Sequence, residues 1–163
     1  MKMNVPSCNA SLFALAFLLT SGATAAASAD ALAPVRAAAD RGACVIDNQG
    51  TQEPAIALTA SAYDLAGIDQ REVLALIDRF LGHGCSIHEA DSQGTSPINV
   101  AVLTAEPDLL VFLLQAGAEP EMIISGARPW ANGHNSAEFA QLLYQIDPNP
   151  GRERIVEILT HRQ

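Results

Sequence analysis

The chain has 163 residues and a formal net charge of −9 at pH 7, and 49% of its residues are hydrophobic. The negative charge disfavours nucleic acids and anionic membrane surfaces as partners, because an acidic surface repels phosphate groups. It is compatible with a basic protein as the partner.

The N-terminal segment has the three parts of a secretory signal peptide. Lys2 supplies a positive charge, Leu12–Leu19 form an apolar run, and residues 27–29 are a small-residue cleavage pattern. The apolar run is far shorter than the roughly 20 residues that a membrane-spanning helix needs. We therefore expect cleavage before Asp30 and export to the periplasm, with no insertion in the membrane after cleavage.

The exported chain, residues 30–163, has the size of one domain and is long enough to bury a core. It carries eight Arg against 18 Asp and Glu, a formal charge of −10. It keeps Cys44 and Cys85, and two cysteines in an oxidising compartment are more often bonded than not. A disulfide needs Cα atoms within about 7 Å of each other, which the sequence does not establish for this pair.

Three helix-like stretches end in a similar way, at Arg41–Val45, Gly82–Ile87 and Gln115–Pro120. Each ending contains Gly followed by a small residue, and Gly just past a helix takes the left-handed conformation that closes it. The first two endings lead into Asp47–Gly50 and Asp91–Gly94, where Asp and Gly favour a tight turn. The recurrence of helix, Gly stop, turn and new helix indicates a repeat array.

The polar segment Asp91–Ala101, DSQGTSPINVA, raises the question of a catalytic or phosphate-binding loop. It lacks the G-x-S-x-G motif of serine hydrolases and the lysine of a phosphate-binding loop. Its spacing favours a helix start, with Ser96 capping the first turn and Pro97 at the first helical position. This interpretation leaves three residues without a structural role, namely Ser92, Gln93 and Thr95.

The segment from Asp91 to Glu119 resembles one ankyrin repeat, a unit of about 33 residues. The residues in register with the family pattern are Asp91, Gly94, Ser96, Pro97, Ile98, Ala101, Leu113, Leu114, Gly117, Ala118 and Glu119. Asn99 stands where the family usually has a His that bonds the neighbouring loop. Ala105 and Glu106 replace its Gly-His between the helices.

This resemblance implies an all-α fold, a short ankyrin-type solenoid of stacked helix-turn-helix repeats with turn or hairpin-like loops. We expect one domain over residues 30–163. Its units would be an N-terminal cap (30–46), a degenerate repeat (47–90) with an insertion near residues 61–70, the well-matched repeat (91–123) and a degenerate C-terminal repeat (124–163).

Candidate chemical groups are few. His83, Cys85 and His88 are zinc-ligand types, but a zinc site normally needs four ligands, and only the isolated His134 and His161 remain. We therefore predict no metal and no cofactor.

Two further features have competing interpretations. The carboxylate pairs Glu106/Asp108 and Glu119/Glu121 lie at helix starts and turns, where acidic residues favour the positive end of the helix dipole; this interpretation is preferred over acid–base chemistry. Trp130, the only Trp, is either a buried anchor for its loop or a hot spot for a partner.

The ankyrin resemblance implies protein binding without an intrinsic active site. The family's usual contact positions fall on Ser92, Gln93, Thr95, Leu103 and Thr104. We expect a protein partner such as a basic toxin or effector. The specific function that we expect is that of an immunity or inhibitor protein, which neutralises a toxin or enzyme acting in the periplasm.

Three alternatives remain open at the sequence level. One is a stress-protection adaptor in the periplasm. Another is a small metal-dependent hydrolase that uses His83, Cys85, His88 or His134. The last is a structural envelope protein that associates with itself. The sequence does not fix the oligomeric state.

Overall fold

The structure is a computed structural model that describes residues 31–126 and 128–161. The predicted signal peptide, residues 1–29, lies outside these residues. Within them, no helix is both long enough and apolar enough to cross a membrane.

The described part of the chain contains helices and one small sheet. The helices are α1 (Ala33–Arg41), α2 (Ala55–Ala60), α3 (Gln70–Gly82), α4 (Pro97–Thr104), α5 (Pro107–Gln115), α6 (Ser136–Ile146) and α7 (Pro150–Thr160). The strands β1 (Val45–Asn48) and β2 (Thr51–Pro54) lie between α1 and α2. Consecutive helices pack in pairs, α2 with α3, α4 with α5 and α6 with α7. Because α4 also contacts α2 and α6, it lies at the centre of the stack.

The prediction of an all-α ankyrin-type solenoid is wrong, because β1 and β2 form an antiparallel two-stranded sheet. Gln49 and Gly50 both have positive φ, 55° and 90°, and such a two-residue turn matches the twist of paired strands. The carboxylate of Asp47 holds the turn by accepting a hydrogen bond from the Gly50 N–H at 2.8 Å.

The sequence predicts the turn at Asp47–Gly50 but not the strands beside it. Each strand is only four residues long, and β2 contains Gln, Glu and Pro, which are depleted in strands or carry no strand signal. The Asp91–Gly94 segment has the same Asp-x-x-Gly pattern and forms a turn without flanking strands. The local pattern therefore does not decide between a hairpin and a simple turn.

The predicted helix ends agree with the structure in most respects. Gly42, Gly84 and Gly117 have φ of 65°, 83° and 98°, which confirms the glycine stops. Pro97 is the first residue of α4, as predicted, but the Ser96 side chain makes no capping hydrogen bond. Its Oγ is engaged by a side chain of α4 instead, as described below.

The predicted insertion near residues 61–70 is a loop rather than extra helix. Residues 61–69 form turns between α2 and α3. Asp69 ends the loop, since its side chain accepts a hydrogen bond from the Arg71 N–H at 2.9 Å and caps α3.

A disulfide joins Cys44, one residue before β1, to Cys85, three residues after α3. Their Cα atoms are 5.2 Å apart and 41 positions separate them in sequence. Cys85 is buried in the core beside the apolar face of α3, which includes Phe80 and Ile77. The bond therefore fixes the start of the hairpin against the end of α3.

We expect replacement of both cysteines by alanine to lower the free energy of unfolding by about 3–4 kcal/mol, because a loop of this length gains entropy in the unfolded chain when the cross-link is lost. Urea unfolding measures the loss. A reducing agent should lower the stability of the parent chain to that of the Cys44→Ala/Cys85→Ala variant and leave the variant unchanged. Equal stability of parent and variant without reductant would contradict this role.

Candidate functional site

The five residues predicted to contact a partner lie at the two ends of α4. Ser92 and Gln93 are exposed and Thr95 is buried, all in the turn before the helix. Leu103 and Thr104 are half-buried in its last turn. About 12 Å of helix separates the two groups, so the structure does not bring them into one patch, and their role stays a prediction.

Two of these residues have structural contacts that the sequence did not reveal. The backbone N–H and the hydroxyl of Ser92 both donate to the carboxylate of Glu53 on β2, the N–H at 2.8 Å. The Thr95 N–H donates to Asp91 Oδ1 at 2.8 Å, and the Thr95 hydroxyl accepts a hydrogen bond from Arg128 at 3.4 Å. The expectation that Ser92 and Thr95 lack a structural role is therefore wrong.

The other three predicted contact residues are Gln93, Leu103 and Thr104. The Gln93 side chain makes no hydrogen bond to the described residues, although its backbone N–H donates to Asp91 at 2.9 Å. The Thr104 hydroxyl donates to the Val100 carbonyl within α4 at 2.9 Å, and Leu103 packs against the core. Of the five, only Gln93 combines exposure with an unengaged side chain.

A groove of about 290 Å³ opens beside this turn. One wall is the segment before α4 and the other is the loop that follows α5. We call it the turn groove, and its lining residues are His88, Ala90, Gly94, Ser96, Asn99, Met122, Ile123, Ile124 and Ser125.

The floor of the turn groove is a buried polar network. Asn99 is 2% exposed; its Nδ2 donates to Ser96 Oγ at 3.0 Å and its Oδ1 accepts from Ser136 Oγ at 2.9 Å. The network joins the start of α4 to the start of α6. Because buried polar groups with hydrogen-bond partners hold one arrangement, the floor is rigid.

The rim of the turn groove is apolar and exposed. Met122 is 37% exposed and Ile123 is 59% exposed. The next residue, Ile124, is buried, and its backbone pairs with the far side of the same loop: its N–H donates to the His134 carbonyl at 2.9 Å and its carbonyl accepts from Gly133 at 3.0 Å. Two apolar side chains are thus presented to solvent from a fixed backbone, which reduces the entropy lost when a partner binds.

The two walls touch through glycine backbones. A Cβ added to Gly94 would overlap the Cα of Gly126 and the carbonyl oxygen of Ser125. Asn132 fixes the opposite wall, because its side chain accepts from the Gly126 N–H at 2.8 Å and donates to the Gly126 carbonyl at 3.0 Å. This contact sets the width of the turn groove.

Gly94→Ala should be more destabilising than Gly84→Ala, a matched change at a similar positive φ, 77° against 83°. No atom lies within 4 Å of a Cβ at Gly84, so that variant loses only about 1–2 kcal/mol for the left-handed backbone. Gly94→Ala adds an overlap with the opposite wall, which costs about a further 1–3 kcal/mol. Urea unfolding compares the two, and equal losses would contradict the close contact of the walls.

The hydrolase hypothesis rests on His83, Cys85, His88 and His134. Cys85 is in the disulfide and so has no thiolate. His88 lines the turn groove, whereas His134 lies 3.8 Å from Glu138 at the start of α6. Across residues 31–126 and 128–161, no group of three His, Cys, Asp or Glu side chains is arranged to hold a metal ion.

Perturbed acid–base groups occur at the opposite end of α4 from the turn groove. Burial raises the pKa of Glu106, and the nearby carboxylates of Asp64 and Asp108 raise it further. Burial also raises the pKa of Tyr63, with added contributions from Asp108 and Glu106. Partial burial and repulsion among carboxylates explain these shifts.

Glu106→Gln should raise the free energy of unfolding at pH 7. The folded chain binds the Glu106 proton more tightly than the unfolded chain, so stability falls as the pH rises through the raised pKa. The gain from the variant should shrink as the pH falls below the ordinary Glu pKa of about 4.3, where both states are protonated.

Urea unfolding between about pH 4 and pH 7 measures this gain. Asp78→Asn is the control, because it removes an exposed carboxylate from α3. Equal gains from both variants would mean that any lost negative charge stabilises the chain, which would contradict the local explanation.

Trp130 is partly exposed and also contacts another aromatic ring. Its ring centroid lies 5.7 Å from that of the buried Phe139 on α6, while 48% of the residue is exposed. The ring contact joins the loop to α6, but Trp130 is not the buried anchor that one interpretation expected, and the hot-spot interpretation stays a prediction.

Met122 and Ile123 were not predicted as site residues from the sequence. They belong to an apolar run, Met122–Ile124, that falls in a loop instead of a helix or strand. Only Ile124 of this run is buried in the core. An apolar run between Pro120 and Gly126 was the available signal.

Comparison of the chain with family models, with curated proteins and with solved structures gives no match. The resemblance to ankyrin repeats therefore rests on the sequence pattern alone.

Proposed function

We propose that this chain is a protein-binding module that is exported to the periplasm and recognises a basic protein partner through the turn groove. The specific role that we propose is that of an immunity or inhibitor protein that blocks a toxin or enzyme acting in that compartment. It would act by covering the partner's surface rather than by chemistry of its own.

The observation that carries the proposal is the pairing of an exposed apolar rim with a rigid polar floor. Met122 and Ile123 are two of the six large hydrophobic residues that are exposed in the described part of the chain, and they are adjacent on a backbone held by hydrogen bonds. Exposed apolar groups on a fixed backbone beside buried, oriented polar groups are the usual composition of a protein-binding hot spot.

Charge supports a basic partner. Arg36, Arg79, Arg152 and Arg154 each form an ion pair with a carboxylate, so four of the seven arginines in the described part of the chain are already engaged with acids. Beside the turn groove, Glu89 and Glu121 are exposed neighbours of lining residues. An acidic surround accelerates association with a basic protein and suppresses acidic competitors.

The disulfide supports the proposed compartment. Bonds of this kind form and persist in oxidising environments such as the bacterial periplasm, and the Cys44–Cys85 bond connects elements of the core. The predicted signal peptide supports the same location.

The experiment is affinity capture from periplasmic extract, with a variant of the rim. The double variant Met122→Asp/Ile123→Asp should bind the retained protein at least about 30-fold more weakly, because hot-spot residues contribute about 2 kcal/mol or more. Ile146→Asp is the matched control: Ile146 is 68% exposed, it ends α6, and it does not line the turn groove.

Equal affinity of the rim variant and the parent chain would contradict the proposed site. Salt gives a second measure, since raising NaCl from about 20 to 500 mM should slow association much more than it speeds dissociation. A partner that binds the rim yet associates at a salt-independent rate would contradict its basic character.

A further inference from the structure

One edge of the hairpin has no partner within the described residues. The two-residue turn makes Asn48 and Thr51 a hydrogen-bonded pair, and Ile46 and Glu53 are the next such pair. The N–H and C=O groups of Val45 and Asp47 therefore point away from β2. No described residue forms a backbone hydrogen bond to them.

An apolar groove runs beside this edge. Its volume is about 200 Å³, and the residues that line it along β1 include Ile46 and Asp47. The opposite side is formed by apolar residues of α1 and of the segment after the hairpin, chiefly Val35, Leu58 and Leu65. We call this the edge groove. Val45 and Leu65, both 49% exposed, place apolar surface on the outside of the hairpin and at the mouth of the groove.

The open edge carries only part of the protection that free strands usually have. Such edges are commonly blocked by short length, charged side chains, proline, a bulge or a covering element. β1 has only four residues and includes the charged Asp47, but it has no lysine, proline or bulge, and the groove beside it is apolar. A short strand can therefore still pair with this edge.

The acidic charge around the edge groove indicates which kind of molecule binds there. Asp47 lines the edge groove, the exposed Asp64 precedes Leu65, and no arginine is among the lining residues. A second copy of the chain would bring two formal charges of −10 together, and like charges of this size repel. A basic segment is attracted instead.

We propose that the edge groove is a second docking site, which binds an extended basic segment of a protein partner as a third strand beside β1. Backbone groups of the segment pair with Val45 and Asp47. One aliphatic side chain of the segment enters the groove over Ile46, and its flanking Lys or Arg side chains face Asp47 and Asp64. The site is separate from the turn groove and does not depend on the function proposed for it.

The experiment uses protein purified from the periplasm after expression of the full chain. A probe peptide of alternating Lys and Val, with blocked ends, is titrated into the ¹⁵N-labelled protein. We expect the amide resonances of Val45 and Asp47 to shift with peptide concentration and their hydrogen exchange to slow. A peptide with Glu in place of Lys, and one with N-methylated valines, should each bind at least about tenfold more weakly.

Leu65→Arg should weaken the binding of the probe peptide by about tenfold, since it places a positive charge, like those of the peptide's lysines, at the mouth of the groove. Ile146→Arg, at a more exposed apolar residue outside the groove, should leave binding unchanged. An unchanged spectrum away from the substitution shows that each variant is folded.

Three results would overturn the proposal. They are resonance shifts confined to the turn groove, undiminished binding of the N-methylated peptide, and peptide-independent dimers that protect Val45 and Asp47. The last result would assign the edge to a second copy.

Discussion

The contact between the Gly94 and Gly126 backbones is the constraint on which the proposed binding site depends. It allows the turn before α4 and the loop after α5 to approach more closely than any side chain would permit. The Asn132 side chain holds the second of these backbones in place from the loop side. The width of the turn groove and the position of its apolar rim follow from this approach.

The Asn99 network extends the constraint into the helix stack. By joining Ser96 and Ser136, it connects the start of α4 to the start of α6, the helix that follows the loop carrying Met122 and Ile123. The disulfide holds the hairpin to the end of α3. The hairpin is also joined to the turn before α4, because Ser92 donates to Glu53 on β2, so the two candidate docking sites share one structural connection.

Local signals in the sequence predicted the helix ends well, because a glycine with positive φ and a proline at the first helical position act within a few residues. They did not predict the strands of the hairpin. The pairing of Val45–Asn48 with Thr51–Pro54 follows from the conformation of Gln49, and a glutamine does not indicate a positive φ. They also misjudged Ser92 and Thr95, whose partners Glu53 and Arg128 are more than 30 positions away. The apolar residues of the rim were missed because periodicity analysis assigns apolar runs to cores.

Hydrogen–deuterium exchange of the captured complex tests most directly whether the turn groove binds the protein partner. Binding at this groove should slow the exchange of amides in residues 88–96 and 120–126, with little change in α7. Protection confined to α7 and the end of α6, with unchanged exchange in both walls of the groove, would contradict it.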